Sequence, residues 1–330
     1  MFLQPESNRR MREESCLFIG FLRESGIIRL INSAESAGIK KIYLAIDGPR
    51  NSSERLVQVQ LLNSAIKLAK ELKVTLQIWQ RDSNLGVAVS VITAIDWFFQ
   101  FEERGIILED DLDPHPDFYK FATSGLDYFE SDSEVWLISG SQFFPTLDQQ
   151  TTNSWSTYPL IWGWATWKNR WTEMRKIISN SNIVIPKNFP LRVRNFLRIG
   201  RLRSSSGKVD SWAIPLAVTI HSLGKYCVLP PTNLVSNLGV DLVAVHTKHS
   251  IIDASQTTQA LLPNFYFSSQ ERTEKTRKID AYIEKSLYGI SMRHIFLPLY
   301  NPLKMLFLNF KNMSNSSLTN RLDGIDLPKL

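Results

Sequence analysis

Five carboxylates crowd between Glu109 and Asp117 in the stretch GIILEDDLDPHPDF (residues 105–118). Like charges this close repel, so the cluster calls for a positive charge. Oxygen-only ligands at short spacing suit a hard divalent cation, Mg2+ or Mn2+, which keeps several waters and binds phosphates too. Alternation along an exiting strand puts Glu109 and Asp111 on one face and Asp110 on the other. Asp111 is then the expected direct ligand, with Glu109 or Asp113 acting through water and Asp110 facing local backbone or a base. The same acids could instead cap a helix beginning after Pro116, since a helix N-terminus favours negative charge. Asp117 is expected to start that helix, and His115 to be solvated.

The acids need a strand end to carry them. CLFIGF (16–21) reads as a buried strand, and KIYLAIDG (41–48), VTLQIWQR (74–81), GIIL (105–108) and VWLISG (135–140) as further strands, GIIL short and central. Helical spacing separates them over 26–38, 53–72 and 86–104, and again after Pro116. Strand–helix alternation with continuous apolar strands predicts an α/β fold, a mostly parallel sheet flanked by helices. Ligands of such sheets bind beyond the carboxyl ends of the strands, where Glu109–Asp113 falls. No GxxxxGK[ST] or GxGxxG phosphate loop occurs, so a metal would have to neutralise any phosphates.

Alternation is lost in the second half, where Trp155, Trp162, Trp164, Trp167, Trp171 and Trp212 gather. Eleven Lys/Arg against one acid, Glu173, lie between Lys168 and Lys208, more than the whole chain's excess of +6. That stretch reads as a loop-like solvated face, or as one meeting phosphates or an anionic membrane surface; no nucleic-acid motif accompanies it. Strand character returns over 227–246, and residues after about 265 read as helix followed by a basic, Pro-broken apolar tail. A composition of 43% hydrophobic and 21% charged residues excludes disorder, collagen and a disulfide scaffold. Cys16 and Cys227 sit in apolar surroundings and are expected to be reduced. Residues 1–15 are polar and no run reaches the roughly 20 apolar residues that cross a bilayer, so the expected place is the cytoplasm, with peripheral contact at the inner membrane face.

The acid stretch, written GIILEDDLDPHPDFYKF (105–121), resembles the GT-A glycosyltransferases close to N-acetylglucosaminyltransferase I. RDSNLGVAVSVITAIDWFF (81–99), WGWATWKNRW (162–171), VDSWAIP (209–215) and PPTNLVSNLGVDLVAVHT (230–247) follow in an order similar to bacterial nucleotide-diphospho-sugar transferases of surface-polysaccharide pathways. The resemblance covers residues 16–250 and implies a GT-A (Rossmann-like) domain there. Its nucleotide-binding half would be 16–140 and its acceptor half 141–250, with 251–330 a C-terminal helical, basic appendage.

The resemblance also implies roles. Asp111 would hold the metal on the donor diphosphate, supported by Glu109 and Asp113. Asp47, Arg23, Arg81, Asn84, Gly86 and Asp110 would line the nucleotide, although Asp47 also suits the turn at Gly48-Pro49. Asn84 and Gly86 also suit a helix start. His246 would lie beside the diphosphate or metal, or be structural. Asp210, before Ser211-Trp212, would take the acceptor proton; alternatively it caps a helix. The Ser/Gly/Arg-rich 200–208 would form a lid over the donor. Trp162, Gly163, Trp164 and Trp212 are candidate sugar contacts, and Trp167 a core residue, as clustered tryptophans usually are.

The expected activity is metal-dependent transfer from a nucleotide-diphosphate sugar, most simply a UDP-sugar, to a saccharide or lipid-linked acceptor, with inversion. A sugar-nucleotide pyrophosphorylase would call for a basic Gly-rich loop within 16–30, and a metal phosphohydrolase for His/Asp clusters; neither is present. A catalytically inactive carbohydrate-binding module would have no need of both Asp111 and Asp210.

Overall fold

The structure is a computed structural model describing residues 13–144, 151–179, 185, 189–205, 210–239, 257–269, 274–295, 321–322 and 325–328. In chain order the first half contains β1 (Ser15–Gly20), α1 (Glu24–Ser36), β2 (Lys41–Ile46), α2 (Ser52–Glu71), β3 (Thr75–Gln80), α3 (Val87–Phe101), β4 (Arg104–Glu109), β5 (Leu112–Pro114), α4 (Pro116–Tyr128) and β6 (Val135–Ser139). Then come β7 (Ser154–Ser156), β8 (Trp164–Trp167), α5 (Lys168–Ser179), α6 (Leu191–Ser205), α7 (Ala213–Ser222), β9 (Tyr226–Leu229), β10 (Val235–Asn237) and α8 (Glu274–Ser286).

Among the described residues, eight strands form one sheet in the order β3-β2-β1-β4-β8-β6-β9-β7. β3, β2, β1 and β4 are parallel neighbours. β8 runs antiparallel to both β4 and β6, β9 runs parallel to β6, and β7 closes the edge antiparallel. The sheet is therefore mostly parallel with two reversed strands, and the expected Rossmann-like α/β layering is what the chain forms. The period-2 rule shows cleanly in β1. Leu17 and Ile19 enter the apolar cluster that α3, α5, α7 and α8 build on one face. Cys16 and Phe18 enter the one that α1, α2 and α4 build on the other. Cys16 and Cys227 are buried and free.

Local chemistry sets the helix starts. Asn51 caps α2 by accepting from Glu54 N at 2.9 Å, while the Glu54 carboxylate reaches back to Arg50 N at 2.7 Å. At α4, Pro116 occupies the first turn and His115 Nδ1 accepts from Asp117 N at 3.1 Å. The Asp117 carboxylate accepts from Leu261 N at 2.9 Å, tying that helix to the late chain.

The basic stretch departs from the loop-like reading. Lys168–Ser179 and Leu191–Ser205 are helices, and the expected flexible segment 200–208 begins inside α6; residues 206–209 lie outside the described residues. Arg, Lys, Leu and Met are good helix formers, so charge density did not argue against a helix. One face of each is also apolar: Trp171, Met174 and Ile178 on α5, Val193 and Leu197 on α6 are buried. In α8, Ile279 and Ile283 join the same cluster as α3. No helix among the described residues is long and apolar enough to cross a membrane.

Candidate functional site

A cavity of about 700 Å3 opens beyond the carboxyl ends of β1, β2 and β4. Its walls carry five carboxylates, Asp47, Glu109, Asp110, Asp111 and Asp210, against two guanidiniums, Arg23 and Arg50. Each wall is the end of an element. β1 runs out through Phe21 and Arg23, β2 through Asp47, β4 through Glu109–Asp111, and α3 points its N-terminus at the cleft.

The three consecutive acids face different partners. Asp110 is buried; its carboxylate accepts from Phe21 N at 3.0 Å and from Arg23 Nη1 at 2.9 Å, which joins the ends of β4 and β1. Asp111 is half-buried and meets Arg23 at 3.7 Å. Desolvation and neighbouring Asp110 raise its pKa above the ordinary range, with Arg23 opposing. Glu109 is pushed up to about 8, by burial first and by Asp111 and Asp110 next. Its usual value is near 4.3, so at neutral pH it keeps its proton in the absence of a cation. Asp113 stands apart, paired with Arg29 at 3.4 Å on β5, which pairs antiparallel with β10.

Among the described residues no three His, Cys, Asp or Glu side chains converge as a metal cage. The acids nevertheless fit a cation held mainly by a diphosphate. Mg2+ commonly uses one or two carboxylates, waters and substrate phosphates, and Asp111 offers its carboxylate to the cavity. Gly239 permits this arrangement, because a Cβ there would stand 2.5 Å from Asp111 Oδ2. His246 lies outside the described residues.

Asp47 is buried and held by three donors: Gly48 N at 2.9 Å, Leu85 N at 3.0 Å and Asn84 Nδ2 at 2.9 Å. Burial raises its pKa, while backbone hydrogen bonds from Leu85 and Gly48 and the charge of Arg81 oppose the rise. The turn and the cleft thus use the same side chain. Arg81 is not among the cleft-lining residues. It is buried over the Trp79 ring at 4.0 Å and donates to Ser90 O and Thr93 Oγ1 inside the core, and burial brings it down to about 10.

Asp210 reaches the cleft from the second half and caps α3 across 123 positions. Its carboxylate oxygens accept from Val87 N at 2.7 Å and Ala88 N at 3.1 Å. α3 has no acid in its own first turn and no local side-chain cap. Gly86 makes room: it sits at φ +79°, and a Cβ there would be 2.6 Å from Asp210 Oδ2. Arg321, from the late chain, donates to Leu85 O beside it.

The aromatic candidates lie elsewhere. Trp164 and Trp212 are buried and stacked on each other at 5.9 Å, packed into the α3-side cluster. Trp162 is half-buried against Phe143 at 4.8 Å. Gly163 is at φ +68°, and a Cβ would strike Val235 at 2.7 Å, so core crowding requires it. Trp167 is buried under the Arg170 guanidinium at 3.4 Å. None of these lines the cleft.

Two cleft residues escaped the sequence reading. Arg50 lies 5.0 Å over the Phe21 ring, and both line the cleft wall. The signal available was Arg50's place directly after the Asp47-Gly48-Pro49 turn and Phe21's place one residue past β1. Beneath them, fully buried Gln58 donates to Phe21 O at 3.2 Å and Asp47 O at 2.7 Å, locking the two strand ends together.

No protein-family model and no curated protein matches the sequence. Among solved structures, the chain is similar to UDP-glucose pyrophosphorylase without ligand, at 11% identity and TM-score 0.40, over 74% of this chain and 97% of that one. The same enzyme complexed with UDP-glucose overlaps at 10% identity and TM-score 0.38, with the same shares. A putative glucose-1-phosphate thymidylyltransferase from Bacillus anthracis, in complex with a sucrose, overlaps at 11% identity and TM-score 0.33, over 50% of this chain and 75% of that one. Superpositions this loose assign neither a family nor an activity.

Proposed function

We propose that the chain is a metal-dependent, GT-A-type glycosyltransferase that moves a sugar from a nucleotide diphosphate, a UDP-sugar, to an acceptor hydroxyl with inversion. One observation carries this reading: a cleft large enough for a nucleotide-sugar, at the carboxyl ends of a mostly parallel sheet, holds five carboxylates against two guanidiniums. That imbalance suits a ligand arriving as a divalent cation bound to a diphosphate.

In this reading Phe21 and Arg50 flank the base, and Asp47 offers its remaining lone pairs to a base or ribose donor. Asp111, with Glu109 and Asp110 behind it, would hold Mn2+ or Mg2+. When bound, that ion supplies charge neutralisation for the departing diphosphate. Asp210 keeps a free lone pair on each oxygen after the two α3 N–H bonds, so it can accept the acceptor's proton. As the acceptor oxygen attacks the anomeric carbon, the bond from that carbon to the diphosphate oxygen breaks, and the proton passes to Asp210. The products are the glycoside and the nucleoside diphosphate.

The test is a thermal-shift screen of nucleotide-sugars with and without Mn2+, followed by product analysis. Mn2+-dependent stabilisation by a UDP-sugar, and UDP release on adding saccharide or glycolipid acceptors, is the expected result. Formation of UTP and sugar 1-phosphate on adding pyrophosphate would replace it with a pyrophosphorylase. If no nucleotide-sugar raises the melting temperature, the reading fails.

A further inference from the structure

Outside the cleft, positive charge gathers along α6, the last residues of α8 and the turn that follows it. Residues 189–205 and 285–295 contain Arg192, Arg194, Arg198, Arg201, Arg203, Lys285 and Arg293 and not one Asp or Glu. The two segments are neighbours in space. Asn195 of α6 donates to His294 O at 2.9 Å, Phe196 packs on His294 at 5.6 Å, and Arg192 pairs with Glu284 at 3.1 Å. Val193, Leu197 and Ser204 turn inward. Leu191 and Arg198 are exposed on α6, and Met292 and Arg293 are exposed beside His294. Leu191 and Met292 are 49% and 64% accessible, large apolar side chains among guanidiniums.

We infer that this face docks on an anionic lipid surface, with Arg194, Arg198 and Arg293 on the headgroups and Leu191 and Met292 entering the acyl boundary. Basic residues near such a surface each strengthen partitioning by about 5-fold, and apolar side chains beside them favour a bilayer over a purely polar polyanion. A nucleic acid would match the charge but leave Leu191 and Met292 without a use. The orientation matters for the cleft. α6 spans about 22 Å at 1.5 Å per residue, and its far end meets the Asp210 segment, where Ser204 Oγ donates to Ser211 O at 3.1 Å. A bilayer on this face therefore lies within one helix length of Asp210. The docking itself does not depend on the activity proposed above.

Co-sedimentation of the full chain with phosphatidylglycerol and phosphatidylcholine vesicles tests it without nucleotide or acceptor. Retention on the anionic vesicles alone, weakening as salt rises, is expected. The triple variant Arg194→Glu, Arg198→Glu, Arg293→Glu should lose on the order of 100-fold in partitioning. Leu191→Gln with Met292→Gln should weaken it by about 10-fold or more. Because both native cysteines are buried, an environment-sensitive label is site-selective. On Met292→Cys its emission should shift to the blue with anionic vesicles, and on Ile66→Cys, exposed on α2, it should not. Wild-type protein left in the supernatant at low salt, undiminished binding by the triple variant, no effect of the Gln pair, or equal shifts of both labels would overturn the proposal. So would displacement from vesicles by RNA at equal charge concentration. Unchanged melting temperatures in the variants separate lost docking from lost folding, and a thermal shift with UDP-sugar and Mn2+ reads the cleft independently.

Discussion

Asp111 at the cleft and Asp280 on α8 are both carboxylates drawn out of water, and burial is the first cause of the raised pKa at each. Their partners differ. Asp280 accepts from Ser156 Oγ and Thr157 Oγ1, both at 2.6 Å, and from Thr157 N at 3.2 Å. It fastens α8 to the end of β7. Asp111 has like-charged neighbours on the same strand end, and its counter-charges are Arg23 at 3.7 Å and, more weakly, Arg29. The contrast separates a carboxylate that is part of the scaffold from one kept short of positive charge. The first should matter for stability and the second for ligand binding, in keeping with the cost functional sites impose on their folds.

The sharpest way to break this division is Asp210, which belongs to both classes: it caps α3 and stands in the cleft. Asp210→Asn keeps a side-chain oxygen for one α3 N–H and removes the proton acceptor. Transfer should fall by about 10^2–10^4-fold, while nucleotide-sugar binding in a calorimetric titration persists and stability drops by no more than about 1 kcal/mol. Near-normal turnover would leave Asp210 as a cap and nothing more. Asp111→Asn comes next. Mn2+-dependent nucleotide affinity should fall on the order of 100-fold, about 2.7 kcal/mol, yet the ligand-free melting temperature should rise, because the desolvated charge crowded against Asp110 is gone. A lower melting temperature would place Asp111 with the scaffold.

Asp280 gives the converse result. Asp280→Ala strands three donors and should cost about 3 kcal/mol by urea denaturation, leaving the affinity of the folded protein for nucleotide unchanged. The sign of its pH dependence follows from a folded value of about 6 against the ordinary carboxylate value near 4. The fold holds the proton more tightly than the unfolded chain. Its contribution is complete below about pH 4 and is lost as pH rises through about 6, on the order of 2 kcal/mol. Asp280→Asn should flatten that limb, and an unchanged stability–pH curve would show that the carboxylate is better solvated than its contacts imply.

The two halves of the molecule were unequally legible. β1, β2 and β4 announce themselves because each is an apolar run between helices with amphipathic or capping signals, and β3, TLQIWQ, by its place in the alternation, so Glu109–Asp113 could be placed at a strand end. β5 could not: its three residues sit inside the acid stretch and pair with β10, which follows more than a hundred residues later. α5 and α6 were hidden by their own charge, since Lys and Arg suit helices as well as loops. The cap from Asp210 to α3 carries no local signal at all, being a contact between segments 123 positions apart. The motifs around Trp162, Trp164 and Trp212 suggested sugar contacts, yet the rings of Trp164 and Trp212 pack on each other in the core. Aromatic area buried against a neighbour is stabilising wherever it occurs, so composition alone does not say which rings meet a ligand.

The smallest expected effect concerns His221, a buried group with neither the role of Asp280 nor that of Asp111. It lies on α7 between Tyr158 at 4.0 Å and Phe189 at 4.9 Å, and neither ring nitrogen has a hydrogen-bond partner among the described residues. Burial drops it to about 3 from the usual 6.5. Here the unfolded chain binds the proton more tightly, so stability is intact above about pH 6.5 and is lost as pH falls toward 3. This limb opposes that of Asp280 between pH 4 and 6, and wild-type stability should vary less there than either group alone would dictate. His221→Phe replaces two unmatched polar atoms with apolar volume. It should change stability at pH 7 by no more than about 1 kcal/mol, and it should expose the Asp280 limb as a fall in stability from pH 4 to 6. If the variant instead loses several kcal/mol at pH 7, the imidazole has a partner that its packing among Tyr158 and Phe189 does not reveal, and His221 moves into the class of Asp280.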